Sequence, residues 1–113
     1  MGNSFEDLQV WKRSCRLSVD LIKILKGNKD FYLKNQMLDA VISIPSNIAE
    51  GSERGTKLEF KRFLRIAKGS AAELRTQMYI AQKVEVIDVD VSKKAIEEVK
   101  EISCMLQGLI DSL

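Results

Sequence analysis

Histidine is absent from this chain of 113 residues. Its absence removes the usual general base near neutral pH, the Ser-His and Cys-His nucleophile pairs and the commonest metal ligand. The two cysteines, Cys15 and Cys104, make neither a disulfide framework nor a zinc site, and read as free thiols in a reducing compartment. No apolar run approaches the roughly 20 residues that a membrane-spanning helix needs. The N-terminus, Met1-Gly2-Asn3-Ser4-Phe5-Glu6-Asp7, has no cationic then apolar leader, which argues against secretion and for a cytoplasmic location. A single proline, Pro45, occurs in the whole chain. It falls inside a helical pattern.

What is present belongs to one globular domain. Hydrophobic residues make up 45% of the chain and charged residues 30%, enough apolar side chains for a modest core. The net charge is only +2 but is unevenly spread. Residues 1–83 hold 15 basic and 9 acidic side chains, whereas residues 84–113 hold 3 and 7, which hints at an anionic partner for the first part.

The periodicity predicts four helices. The first starts at a Ser4-to-Asp7 capping box and runs to Lys26. The second covers Phe31 to Glu50, with Gly51 as a left-handed C-cap. The third opens on a second capping box, Thr56 to Glu59, and reaches Lys83. The fourth starts near Asp90 or Ser92 and continues to the C-terminus, with Val84–Val91 as a connector. Four long helices with short turns predict an all-α, antiparallel up-down-up-down four-helix bundle. Phe60, Phe63, Leu64, Ala67, Ala71, Leu74, Met78 and Ala81 share one face of the third helix. Ile96, Val99, Ile102, Leu106, Leu109, Ile110 and Leu113 share one face of the fourth. The first helix has two apolar stripes, one of Leu8, Trp11, Cys15, Ile22 and Leu25, the other of Val10, Leu17, Leu21 and Ile24. A peripheral helix of a small monomer needs only one, so the second predicts oligomerisation.

Three constellations are candidates for function. On the third helix Lys57, Lys61, Arg65 and Lys68 follow spacings of four, four and three. Arg75 and Lys83 flank that face and Tyr79 lies among them. Such a row could neutralise successive phosphates while the ring stacks on a base; the plain alternative is a solvated face. Gln36, Asp39, Ser43, Asn47 and Glu50 form a polar stripe on the second helix that continues toward Arg54. Ser70, Glu73 and Gln77 form a shorter one on the third. Glu50 and Glu73 could in principle do acid–base work or bind a metal, but a hydrogen-bond network or subunit contact is the simpler use. Finally, Pro45 within Ser43-Ile44-Pro45-Ser46-Asn47-Ile48-Ala49-Glu50-Gly51 removes an amide donor and crowds the carbonyl of Val41, at about 3 kcal/mol in a helix interior. It predicts a kinked helix whose freed carbonyl finds a local donor. Gly69 is also mid-helix and, with Ser70, Ala71 and Ala72, makes a patch where another helix can come close. Gly51-x-x-x-Gly55 has no following Gly-Lys-Ser/Thr and is no phosphate loop.

Together, Phe5-x-Asp7-Leu8-x-Val10-Trp11, Gln36, Ala40, Ser43 through Gly51, Arg54 and the later run Phe60-x-Arg62-Phe63-Leu64-x-Ile66-Ala67-x-Gly69-Ser70-x-x-Glu73-Leu74 resemble a known family. This is the small bacterial four-helix-bundle family also called 23S rRNA intervening sequence proteins. The resemblance implies an antiparallel bundle, assembly as a ring-shaped homopentamer, and an activity that is largely unknown. Some members are encoded within sequences inserted into 23S rRNA genes. A distant relative, the accessory protein of diversity-generating retroelements, is a basic pentamer that binds nucleic acid and a reverse transcriptase. The chain departs from the family where Lys29-Asp30-Phe31 replaces a longer Phe-Pro-x-x-Glu, and where Leu38-Asp39 replaces basic residues before Ala40. The resulting expectation is a non-enzymatic homo-oligomer with no cofactor, metal, membrane or small-molecule substrate. Its partner would be RNA or a ribonucleoprotein, reached through Lys57, Lys61, Arg62, Arg65, Lys68 and Arg75. Ser43, Pro45, Asn47, Glu50, Gly51, Arg54, Gly69, Ser70 and Glu73 would serve assembly. The alternative is a protein-interaction scaffold without nucleic acid.

Overall fold

A computed structural model describes residues 4–113. It consists of a short 3-10 turn, Phe5–Asp7, and four α-helices: α1 Gln9–Leu25, α2 Phe31–Glu53, α3 Lys57–Lys83 and α4 Val89–Ser112. The chain is a rod of 46 × 21 × 19 Å. Contacts are most extensive between α2 and α3 and least between α1 and α4. The pairs α1–α3 and α2–α4 do not approach closely. Sequential neighbours therefore sit side by side around a square, the antiparallel bundle that short connections require.

Local chemistry fixes most helix starts. Asp30 accepts from the Leu33 amide at 3.1 Å, Thr56 from the Glu59 amide at 3.2 Å, and Asp88 from the Asp90 amide at 3.1 Å. The last of these starts α4 at Val89, slightly earlier than its periodicity indicates. Ser4 does not open α1 as expected. Its hydroxyl accepts from Glu6, two residues on, and so caps the 3-10 turn; extended Leu8 then separates that turn from α1. Phe5 folds back edge-on to Trp11, with ring centroids 5.3 Å apart, which anchors the entry.

Gly51 is the second correction. It is not a left-handed cap but a buried residue inside α2, which continues to Glu53. Gly55, with φ of +89°, takes the left-handed turn instead. What Gly51 supplies is room. A Cβ built there would stand 2.6 Å from the Phe63 Cβ and 3.2 Å from the Phe60 ring. No methyl group fits, so α2 and α3 approach here only because residue 51 is glycine.

The core is the one that periodicity indicates for α3 and α4, with Leu64, Leu74, Met78, Val99, Ile102 and Leu106 fully buried. In α1 it is not. Val10, Leu17, Leu21 and Leu25 are buried together with two serines, Ser14 and Ser18. Trp11 and Cys15 are half-buried, and Val19, Ile22 and Ile24 are exposed. Of the two expected stripes, the one through Val10, Leu17 and Leu21 faces inward, and most of the other lies along the α1–α2 groove. Partial burial also raises the Cys15 thiol pKa above its usual value, favouring the neutral form.

The buried serines explain the proline. α2 runs as helix through Pro45, whose missing amide leaves the Val41 carbonyl without its usual donor. The Ser18 hydroxyl, on α1, lies 3.2 Å from that carbonyl and 2.8 Å from the Ser14 carbonyl of its own helix. The donor is thus tertiary and not local.

Candidate nucleic-acid interface

From Lys57 to Lys83, α3 rises about 40 Å at 1.5 Å per residue. Lys57, Arg65 and Lys83 are exposed, and Lys61, Lys68 and Arg75 are half-buried against their surroundings. The Lys68 ammonium donates to Gln107 of α4 at 2.8 Å, which places this row on the α4 side of α3. Lys57, Lys61, Arg65, Arg75 and Lys83 enter no ion pair among the described residues. Tyr79 is 49% exposed and stands four residues from both Arg75 and Lys83, so helical geometry puts all three on one face.

Arg62 is different. It pairs with Glu59 at 3.5 Å, and its guanidinium lies 5.5 Å from the Phe63 ring centroid. Arg54, at the end of α2, sits over the same ring at 4.9 Å. Arg62 therefore belongs to the α2–α3 corner that Gly51 opens, apart from the row. Its two contacts are cation–π and ion-pair contacts that fix the corner.

The family-motif residues concentrate on the α2–α3 seam. The Ser43 and Ser70 hydroxyls are 2.7 Å apart across it. The Asn47 amide donates to the Ser43 hydroxyl at 2.9 Å and to the Ser43 carbonyl at 2.8 Å. Glu50 pairs with Arg54 at 3.0 Å on the surface. Glu73 is exposed and unpaired among the described residues. The Ser43–Ser70 contact and the Gly51–Phe63 approach fix the antiparallel register, which sets Glu73 level with Ala40, about 15 Å along the axis from Glu50. The two carboxylates do not form a pair for shared acid–base work. No group of three potential metal-ligating side chains occurs among the described residues, and no helix there is long and apolar enough to cross a membrane.

The sequence reading did not foresee the bidentate clasp of Arg13 on Glu98, with Nε to Oε2 at 2.9 Å, which ties α1 to α4 where their contact is thinnest. Glu98 raises the Arg13 pKa above its ordinary value, chiefly by that hydrogen bond. Opposite charges on facing helices are its only sequence signal, and register decides which ones meet. The α1–α4 groove beside it, about 370 Å³ and floored by Leu17, Leu21, Val91 and Ala95, was also not anticipated.

The architecture defines an all-α protein of the up-down-up-down four-helix-bundle class. A family model for the 23S rRNA-intervening sequence protein matches residues 6–108, and the chain belongs to that family. Among solved structures, the fold is similar to a protein of unknown function from the S23 ribosomal protein family of Bacteroides thetaiotaomicron. That likeness has a TM-score of 0.85 and 24% identity over 89% of this chain and 97% of that one, and it shows the fold alone. No curated protein matches this chain in sequence.

Proposed function

We propose that this protein is a non-enzymatic, cytoplasmic bundle that assembles with copies of itself and binds RNA or a ribonucleoprotein through the outer face of α3. The observation that carries the RNA reading is the α3 row itself. None of its six cations has an acidic partner among the described residues, on a helix with seven basic and two acidic side chains. A face kept basic only for solubility would serve as well with interspersed carboxylates, which α4 has and this row lacks. Affinity for RNA should fall steeply with salt as counterions are released, and the Lys61→Glu, Arg65→Glu double variant should abolish it. Fluorescence anisotropy with labelled RNA measures both. Absence of binding at low salt, or indifference to the double variant, would sink the reading.

Self-assembly is supported by a different surface. Val19, Ile22 and Ile42 are each 44–48% exposed, and Trp11, Cys15 and Leu38 are half-buried beside them. They form an apolar strip along the α1–α2 groove that a second subunit would cover. Five copies is the number that the family resemblance implies, and light scattering measures it. The same strip supports the rival reading, a scaffold for another protein. A captured protein that survives nuclease treatment, from a variant that has lost the α3 charges, would favour that rival.

A further inference from the structure

We infer that the ligand of the α3 row is a single strand of RNA that lays one base on Tyr79, and not a duplex. This rests on the RNA reading above and deepens it.

Two observations carry it. The first is the width of the basic surface. Neighbouring helices of a bundle lie about 8–10 Å apart, so a duplex resting on α3 would bring its second phosphate strand over α2 or α4. Neither offers a matching row. α2 exposes Asp39, Glu50 and Glu53 against a single half-buried lysine, Lys34. On α4, Glu98 and Glu101 turn to Arg13 of α1 and Lys100 pairs with Glu97, so that helix adds no matching row of free cations beside α3. The favourable potential is therefore one helix wide, enough for one phosphate backbone. A second backbone would meet like charge over α2 and no matching row over α4.

The second observation is Tyr79 inside the row. A half-exposed ring between Arg75 and Lys83 offers a stacking platform at the point where cations on either side hold the backbone. Only an unpaired base can present its face to such a ring; the bases of a duplex are stacked on each other. Between Lys68 and Arg75 the surface is also flat. Ala72 is exposed, and a Cβ built on Gly69 would meet nothing within 4 Å. Bases of a strand held by the flanking cations have room to lie there.

The test compares a labelled 12-nucleotide oligouridine with a 12-base-pair RNA duplex at low salt, using the full chain. The oligouridine should bind at least about tenfold tighter than the duplex. Tyr79→Ala should weaken oligouridine binding about tenfold, in the range that loss of one aromatic stacking contact gives, and Tyr79→Phe should restore it. Circular dichroism checks that both variants keep the fold. Equal or tighter binding of the duplex overturns the inference, as does an oligouridine affinity indifferent to Tyr79→Ala. In both cases the RNA reading stands, provided that Lys61→Glu with Arg65→Glu abolishes binding. If neither RNA binds, the RNA reading falls and this inference with it.

Discussion

The α2–α3 seam and the outer side of α1 use similar materials to opposite ends. At the seam the small and polar residues of the Ser43–Gly51 segment meet partners from within the chain, although the buried Gln77 side-chain oxygen on α3 has none among the described residues. Gly51 makes room for Phe63, Ser43 meets Ser70, and Asn47 closes on Ser43. Along α1 the arrangement is reversed. Two serines occupy core positions while Val19, Ile22 and Ile24 face solvent. A seam whose closest contacts are intramolecular is a device for folding. A helix that hides serine and shows isoleucine is fully satisfied only when something else covers it, or when its buried serines do work that leucine could not.

The sharpest test of that contrast is Gly51→Ala. With the new Cβ forced against the Phe63 Cβ, both on helix backbones, the seam must open, at a cost of about 2–3 kcal/mol in urea denaturation. A neutral result would show that α2 and α3 are free to separate. Next is Ser18→Ala, which leaves the Val41 carbonyl buried without a donor and should cost about 1–3 kcal/mol. In a Pro45→Ala background residue 45 regains an amide for that carbonyl, so most of the Ser18 penalty should vanish; a double-mutant cycle reads the coupling. Independent effects would mean that Ser18 serves its own helix only. A smaller gain is expected from Gly69→Ala, about 1 kcal/mol of helix propensity, because its added methyl group meets nothing in the chain. Destabilisation instead would place another copy against that Cα. Smallest for the folded monomer is Ile22→Glu, within about 0.5 kcal/mol because the side chain is exposed. If the strip is an interface, the same change should dissociate the assembly in light scattering; an unaltered mass would move self-association to another face.

The candidate interface was readable in part. The α3 row is a matter of spacing along one helix, so Lys57, Lys61, Arg65, Lys68, Arg75 and Tyr79 could be placed on a common face without coordinates. Arg62 could not be separated from them, because its removal to the corner depends on Phe63 and on Arg54 arriving from the end of α2. Likewise, Glu50 and Glu73 each belong to a polar stripe, but only the register of α2 on α3 shows how far apart they lie.

Periodicity alone determined the four helices, the core faces of α3 and α4 and the antiparallel order, because 3.6-residue spacing and short connections leave few other ways to bury those stripes. The N-cap at Thr56 is equally local, whereas Asp88 caps α4 ahead of the start at Asp90 or Ser92 that periodicity indicates. Tertiary structure decided what depends on a neighbour: that Gly51 is an approach point and not a cap, that Ser18 supplies the donor withdrawn by Pro45, and which stripe of α1 faces inward. A helix wheel ranks residues by hydrophobicity, and so passes over a serine whose value lies in one carbonyl on another helix.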